Sequence, residues 1–234
     1  MALTTTATPR IEQDICNLLG LRSPQVTRTS LDRTNLYLEV KKEGKGKSIW
    51  SDLSNMMTNG QFSGPTIIYC PSRKDVDDVS TQLTEQKVEN NKYHAGLDGP
   101  DRKAAHKAFI SDNVQVIVAT IAYGMGIDNP DVRNIIHYGA PWDMESYYQE
   151  IGRAGRDGQR SVCRVFYKLT DFSIHRHFMA KNNLDPEILK YKLDMIRQME
   201  VFLQYQEKYW RTELLHHFQS RSSGAELELN VQYC

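Results

Sequence analysis

The chain has 234 residues, and 29 Lys+Arg balance 29 Asp+Glu, so the formal net charge is zero. Apolar residues make up 40% and charged residues 25%, an ordinary globular balance. Zero net charge excludes a whole-molecule field that gathers polyanions, so any nucleic-acid binding must come from a local basic surface.

The length suits one large domain, or one domain with an appendage. No apolar run reaches the roughly 18 residues that span a bilayer, so no membrane partner is expected. Met1 to Pro9 is neither a basic-then-apolar signal nor an Arg-rich transit peptide. Cys16, Cys70, Cys163 and Cys234 are widely scattered. That usage predicts free thiols in a reducing, intracellular setting.

In chain order, Ile11, Ile15, Leu18 and Leu19 predict a helix over Arg10–Leu19, with Gly20 as its stop. Asn35 to Val40 reads as a strand, Lys41 to Lys47 as a surface loop and Ser48 to Met57 as a helix. Thr66 to Cys70 is a short apolar strand. Pro71-Ser72 ends it, and Ser72 can cap a helix with Val76, Val79 and Leu83 inward. Lys92 to Gly96 resembles a strand end entering a turn. Asp101 to Ile110 is helical, with Ala104, Ala105, Ala108 and Phe109 inward. Val114–Thr120, Val132–Tyr138 and Val162–Tyr167 are apolar runs of the kind buried on both faces of a parallel sheet. Short strands alternating with longer helices over about residues 30–170 predict an α/β fold with a mostly parallel sheet. Asp171 to Phe218 reads as helical throughout, striped by Leu189, Leu193, Ile196, Met199, Val201, Phe202 and Leu203. A loop over Ser220–Gly224 follows.

The richest chemistry lies in Gln149-Glu150-Ile151-Gly152-Arg153-Ala154-Gly155-Arg156-Asp157-Gly158. Three residues make nearly one helical turn, so Arg153 and Arg156 are expected on one side of a helix and its C-terminal end. Gly152 and Gly155 would keep that side low for a close-approaching partner. Two guanidinium forks on such a surface suit phosphate. A pair of arginines alone is more often solvated, but two glycines in a helix need a reason.

Open parallel sheets bind ligands beyond the carboxyl ends of their strands. Pro71 to Lys74, His94 to Gly96 and Thr120 to Asp128 are expected at that edge. Each offers backbone N–H groups, hydroxyls or a cation of the kind that holds phosphate backbones. Taken singly, such a histidine, a turn glycine or a helix-start cation is an ordinary surface feature.

Ser72-Arg73, Tyr93 to Gly96, Ala119-Thr120 through Asp128, and Gln149 through Gly158 together resemble successive motifs of the second RecA-like lobe of the RecQ DNA helicases. Thr4 to Thr8 resembles the motif that ends the first lobe. The resemblance covers roughly residues 3–220. It implies a RecA-like, P-loop NTPase-like lobe over 30–170, preceded by the first lobe's end and a linker over 1–29. Residues 171–234 would be the helical part of a zinc-binding-like subdomain.

The resemblance also implies roles. Arg156 matches the arginine finger, Arg153 its companion, and Gln149 the polar link between nucleotide state and DNA. Gly126 and Asp128 fall near the nucleotide, where RecQ members often carry Asn at the Asp128 position. Ser72, Arg73, His94, Thr120 and Gly124 fall along the single-stranded DNA backbone. ATP with Mg²⁺ is the implied cofactor, bound mainly by a first lobe. The partners would be that lobe and DNA, the chain being a monomer in the nucleus. The activity implied is 3′-to-5′ DNA unwinding in replication, recombination and repair. The 234 residues contain no G-x-x-x-x-G-K-S/T phosphate loop and no Asp-Glu-x-His string. The chain is therefore expected to begin after those elements and to be inactive alone. Tyr209 stands at the first zinc-ligand position and only Cys234 matches a later one, so no zinc is expected. Two alternatives stand beside this reading: a non-catalytic nucleic-acid- or partner-binding module, and an RNA helicase.

Overall fold

The computed structural model describes residues 9–27, 31–44, 48–58, 63–124, 131–205 and 209–219. Thr4–Thr8, Gly126, Asp128, the loop over Ser220–Gly224 and Cys234 lie outside them.

The elements are α1 (Pro9–Leu18), β1 (Leu36–Lys42), α2 (Ile49–Thr58), β2 (Thr66–Tyr69), α3 (Arg73–Glu85), β3 (Asn90–Tyr93) and α4 (Gly99–Ile110). Then come β4 (Val116–Ala119), β5 (Asn134–Tyr138), α5 (Met144–Ile151), β6 (Ser161–Tyr167), α6 (Leu169–Lys181), α7 (Pro186–Leu203) and α8 (Trp210–Gln219). The six strands form one sheet in the order β1-β6-β5-β2-β4-β3. Every pairing among them is parallel.

Strand side chains alternate between two faces, and each face has its own core. Ile68, Val116, Val118, Ile136 and Phe166 pack against Leu53 of α2 and Val76, Val79 and Leu83 of α3. Ile67, Ile117, Ile135, Cys163 and Val165 pack against Phe109 of α4, Tyr147 of α5 and the apolar sides of α6 to α8. Each fully buried Ile or Phe contributes roughly 1.5–3 kcal/mol. Cys70 and Cys163 are buried thiols whose ionisation burial disfavours.

Three expectations need correction. Lys41 and Lys42 extend β1, because they pair with Phe166 and Tyr167 of β6. In α4 only Ala105 and Phe109 are buried; Ala104 is exposed and Ala108 half-buried. The C-terminal region is not helical throughout: its described residues form α6, α7 and α8, with a break at 182–185. Asp185 accepts a hydrogen bond from the Glu187 N–H and Pro186 takes the first helical position, so α7 starts anew. Within it Ile196, Met199, Phe202 and Leu203 are buried, whereas Val201 is 47% exposed.

α6 is tied to the sheet at its start. The Asp171 carboxylate accepts from the N–H groups of Lys168 at 2.9 Å and Ala140 at 3.0 Å. One turn on, His175 is 2% exposed and stacks on Trp142 at 4.0 Å between centroids. Burial, aided by Arg176, lowers the His175 pKa to about 4. The unfolded chain titrates this group near 6.5. Its folded pKa is depressed, so its contribution is complete above pH 6.5 and is lost as pH falls towards 4. Urea unfolding should show a loss of roughly 1–3 kcal/mol over that window. His175→Phe should flatten it, and an unchanged profile would show that another group controls the acid limb.

Candidate functional site

The predicted residues occupy two regions of the sheet. At the carboxyl ends of β2, β4 and β3 lie Ser72 and Arg73, Thr120 to Gly124, and His94 to Gly96. Ser72 caps α3: its Oγ accepts from the Asp75 N–H at 3.1 Å and donates to the Asp75 carboxylate at 2.6 Å. The hydroxyl proton is therefore engaged within the helix start. His94 is 6% exposed and turned inward. Its Nδ1 accepts from the Gly96 N–H at 3.1 Å, and its Nε2 lies 3.6 Å from Asp77 Oδ1. Asp77 also takes Lys92 Nζ at 2.6 Å, and that bond holds its carboxyl below the usual range. The Arg73 guanidinium lies over Gly96, where a Cβ would sit 3.2 Å from Nη1. His94 thus shapes the turn under Arg73 and does not face solvent. Thr120 is half-buried, its N–H bound to the Tyr93 carbonyl at 3.1 Å and its Oγ1 accepting from Ala122 N–H at 3.4 Å.

The arginine segment lies elsewhere, and not on a helix face. α5 ends at Ile151 with Gly152 as cap, and 152–157 form turns. The Gly155 N–H donates to the Val132 carbonyl at 3.0 Å, just before β5. Arg33 Nη2 donates to the carbonyls of Ala154 at 3.1 Å and Gly155 at 2.7 Å. Asn35 Nδ2 holds the Gly155 and Gln159 carbonyls at 2.8 and 2.9 Å. Arg133 grips both Asp157 oxygens at 2.8 Å, holding that carboxyl below its usual range. These anchors precede β1 and β5, so the turn sits by the amino ends of the strands.

Gly155 has φ +55°, and a Cβ there would meet Asn35 Nδ2 at 2.5 Å and the Gln159 carbonyl at 2.7 Å. The close partner that requires this glycine is the protein itself. Arg156 and Gln149 are exposed. Arg153 points back: its Nη1 donates to the Gly124 carbonyl at 2.5 Å, while its Nε is buried without a hydrogen-bond partner. Tyr69 reinforces the same loop, its hydroxyl donating to the Tyr123 carbonyl at 3.0 Å. Arg153 therefore joins the turn after α5 to the loop after β4.

Sequence reasoning missed the residues that set this turn. Arg33, Asn35 and Arg133 carry no local signal. His137 and Glu150 did carry one. Each is a polar residue in an apolar pattern, and buried polar groups need partners. They supply each other, Nε2 to Oε2 at 2.7 Å, with side chains 3% and 8% exposed. Among the described residues no group of three or more His, Cys, Asp or Glu could hold a metal ion. A cavity of about 350 Å³ involves α7 and α8 and holds none of the predicted site residues.

Residues 49–158 match the helicase conserved C-terminal domain. The mouse (Mus musculus) bifunctional 3′-5′ exonuclease/ATP-dependent helicase WRN is 43% identical over 226 residues, 94% of this chain and 16% of that protein. A putative ATP-dependent RNA helicase of Acanthamoeba polyphaga mimivirus is 43% identical over 87% of this chain and 36% of its own length. The ATP-dependent DNA helicase RecQ of Bacillus subtilis is 39% identical over 85% of this chain and 33% of its own length. The chain thus spans about a third or less of these relatives. The parallel sheet and these likenesses agree: residues 49–158 form a helicase conserved C-terminal domain, in a chain similar over most of its length to part of RecQ and other ATP-dependent helicases.

Proposed function

We propose that this chain is the second lobe of a 3′-to-5′ ATP-dependent DNA helicase motor, acting in the nucleus in replication, recombination and repair. The observation that carries the reading is the anchored turn. Arg156 is exposed between Gly155, fixed by Arg33 and Asn35, and Asp157, fixed by Arg133. A guanidinium delivered from a rigid turn can meet charge that develops on a transferring phosphoryl group. The residues fit such a group, since the Arg153 Nε is buried with an unused donor beside the same turn. ATP with Mg²⁺ would be held mainly by a first lobe, and zinc is not part of the reading. The exposed Gln149 and the Arg153–Gly124 bond support a link between that turn and the loops read as DNA contacts, which carry Ser72, Arg73, Thr120 and Gly124, with His94 bracing the turn under Arg73 from inside. Gly126 and Asp128 complete the proposed nucleotide side.

The test is DNA-stimulated ATP hydrolysis. Joined to a RecQ first lobe, the chain should hydrolyse ATP in response to single-stranded DNA. Unjoined, it should give no turnover, because its sequence has no phosphate loop. Turnover by a clean preparation of the chain alone would refute the division of labour. A joined protein without activity would favour a non-catalytic binding module. One observation favours an RNA motor, the description of the mimivirus relative. Stimulation of the joined protein by RNA but not DNA would select it.

A further inference from the structure

The loop after β5 carries a feature that the proposed DNA contacts do not use. Trp142 sits there, half-buried, with one ring face stacked on His175 at 4.0 Å and an interplanar angle of 15°. Phe178, one turn further along α6, meets the same indole edge-on at 5.6 Å. Phe178 is 54% exposed, and Ile174 beside it is 64% exposed. An aromatic ladder that runs from a buried ring to an exposed one is costly to leave in water.

Its position is informative. In the sheet β5 lies next to β2, so the Trp142 loop emerges beside the loop that carries Ser72 and Arg73. Pro71, Ile121 and Trp142 line one narrow cavity of about 20 Å³. Ile121, itself 58% exposed, follows Thr120 directly. The aromatic ladder thus continues the row formed by Arg73 and Thr120. Single strands are held by such a pairing, cations and amides along the phosphates and aromatic rings against the bases.

We propose that Trp142, supported from behind by His175 and Phe178, is a stacking platform for unpaired bases of the strand whose phosphates pass Ser72, Arg73 and Thr120. The platform rests on the reading of those three residues as backbone contacts. His175 gives the indole a fixed plane, so little side-chain freedom is lost when a base stacks. Stacking accepts every base, so the platform adds affinity without sequence preference.

The test uses the whole 234-residue chain with two probes of equal length, oligodeoxythymidylate and an abasic phosphodiester strand. Trp142→Ala should weaken oligodeoxythymidylate binding about 10-fold or more, leaving the salt slope and abasic binding unchanged. Trp142→Phe, which keeps a ring against His175, should retain most of the affinity and controls for folding. Oligodeoxythymidylate should quench tryptophan emission in the parent chain and not in Trp142→Ala. Arg73→Ala should weaken both probes and lower the salt slope by about 1. If Trp142→Ala binds oligodeoxythymidylate like the parent while Arg73→Ala is weakened, the platform is refuted and the backbone contacts stand. If Trp142→Ala weakens both probes equally, the ring is only a brace for α6 and the platform is again refuted. If the parent chain binds neither probe, the backbone contacts and the platform fail together.

Discussion

Replacing Arg156 with alanine, in this chain joined to a RecQ first lobe, is expected to lower DNA-stimulated ATP hydrolysis on the order of 10³-fold or more. The loss should appear in kcat, with KM for ATP little changed, because a finger acts on charge that grows only in the transition state. Stability should change by about 1 kcal/mol at most, because Arg156 is exposed and contacts of exposed charged side chains contribute little. Arg156→Lys should recover little, because an ammonium cannot replace a planar fork at this position. Steady-state hydrolysis with saturating single-stranded DNA compares the parent with both variants. Equal rates for the parent and Arg156→Ala would remove Arg156 from the finger role.

The second large effect is expected at Glu150. Its carboxylate and His137 bond at 2.7 Å, both almost wholly out of water, with Tyr69 stacked on the imidazole at 5.5 Å. Glu150→Ala strands a buried imidazole donor and opens a cavity, at a cost of about 3–5 kcal/mol. That is a large share of a stability in the usual range of about 5–15 kcal/mol. Glu150→Gln keeps an acceptor at the same place and should cost less than half as much. The urea midpoint should therefore fall steeply for alanine and modestly for glutamine. A Glu150→Ala midpoint matching the parent would mean that the pair contributes nothing to the fold. Glu150 stands three residues before Arg153, so the alanine variant should also loosen the arginine turn.

The α/β class could be read from the sequence because it depends on local pattern. Thr66–Tyr69 and Val116–Ala119 are buried at every position, as continuous apolar runs in a parallel sheet should be. Ser72 before α3 announced its cap for the same local reason. The arginine turn was misread because its shape is imposed from far along the chain. Arg33 and Gly155 meet across 122 positions, and no helical periodicity records that. Spacing suggested a helix face; the carbonyls of Ala154 and Gly155, claimed by Arg33 and Asn35, make it a turn. His94 shows a subtler limit. Its place at the sheet edge was legible, but its inward rotation depends on the Gly96 N–H and on Asp77. The break between α6 and α7 was visible in Asp185-Pro186, yet the apolar stripe that follows in α7 drew the reading as continuous helix.

The pairing of β1 with β6 bears on how the molecule is made. β1 has β6 as its sheet neighbour, and the Glu39–Arg164 contact joins residues 125 positions apart. At a synthesis rate of about 5–20 residues per second, the ribosome needs roughly 6–25 s to supply that partner. Through that interval β1 is a finished strand with no hydrogen-bonding neighbour, and Arg33 and Asn35 have no turn to hold. Among the six strands of this sheet, the one made first must thus wait for the one made last, and through that wait its open edge is exposed to wrong pairing.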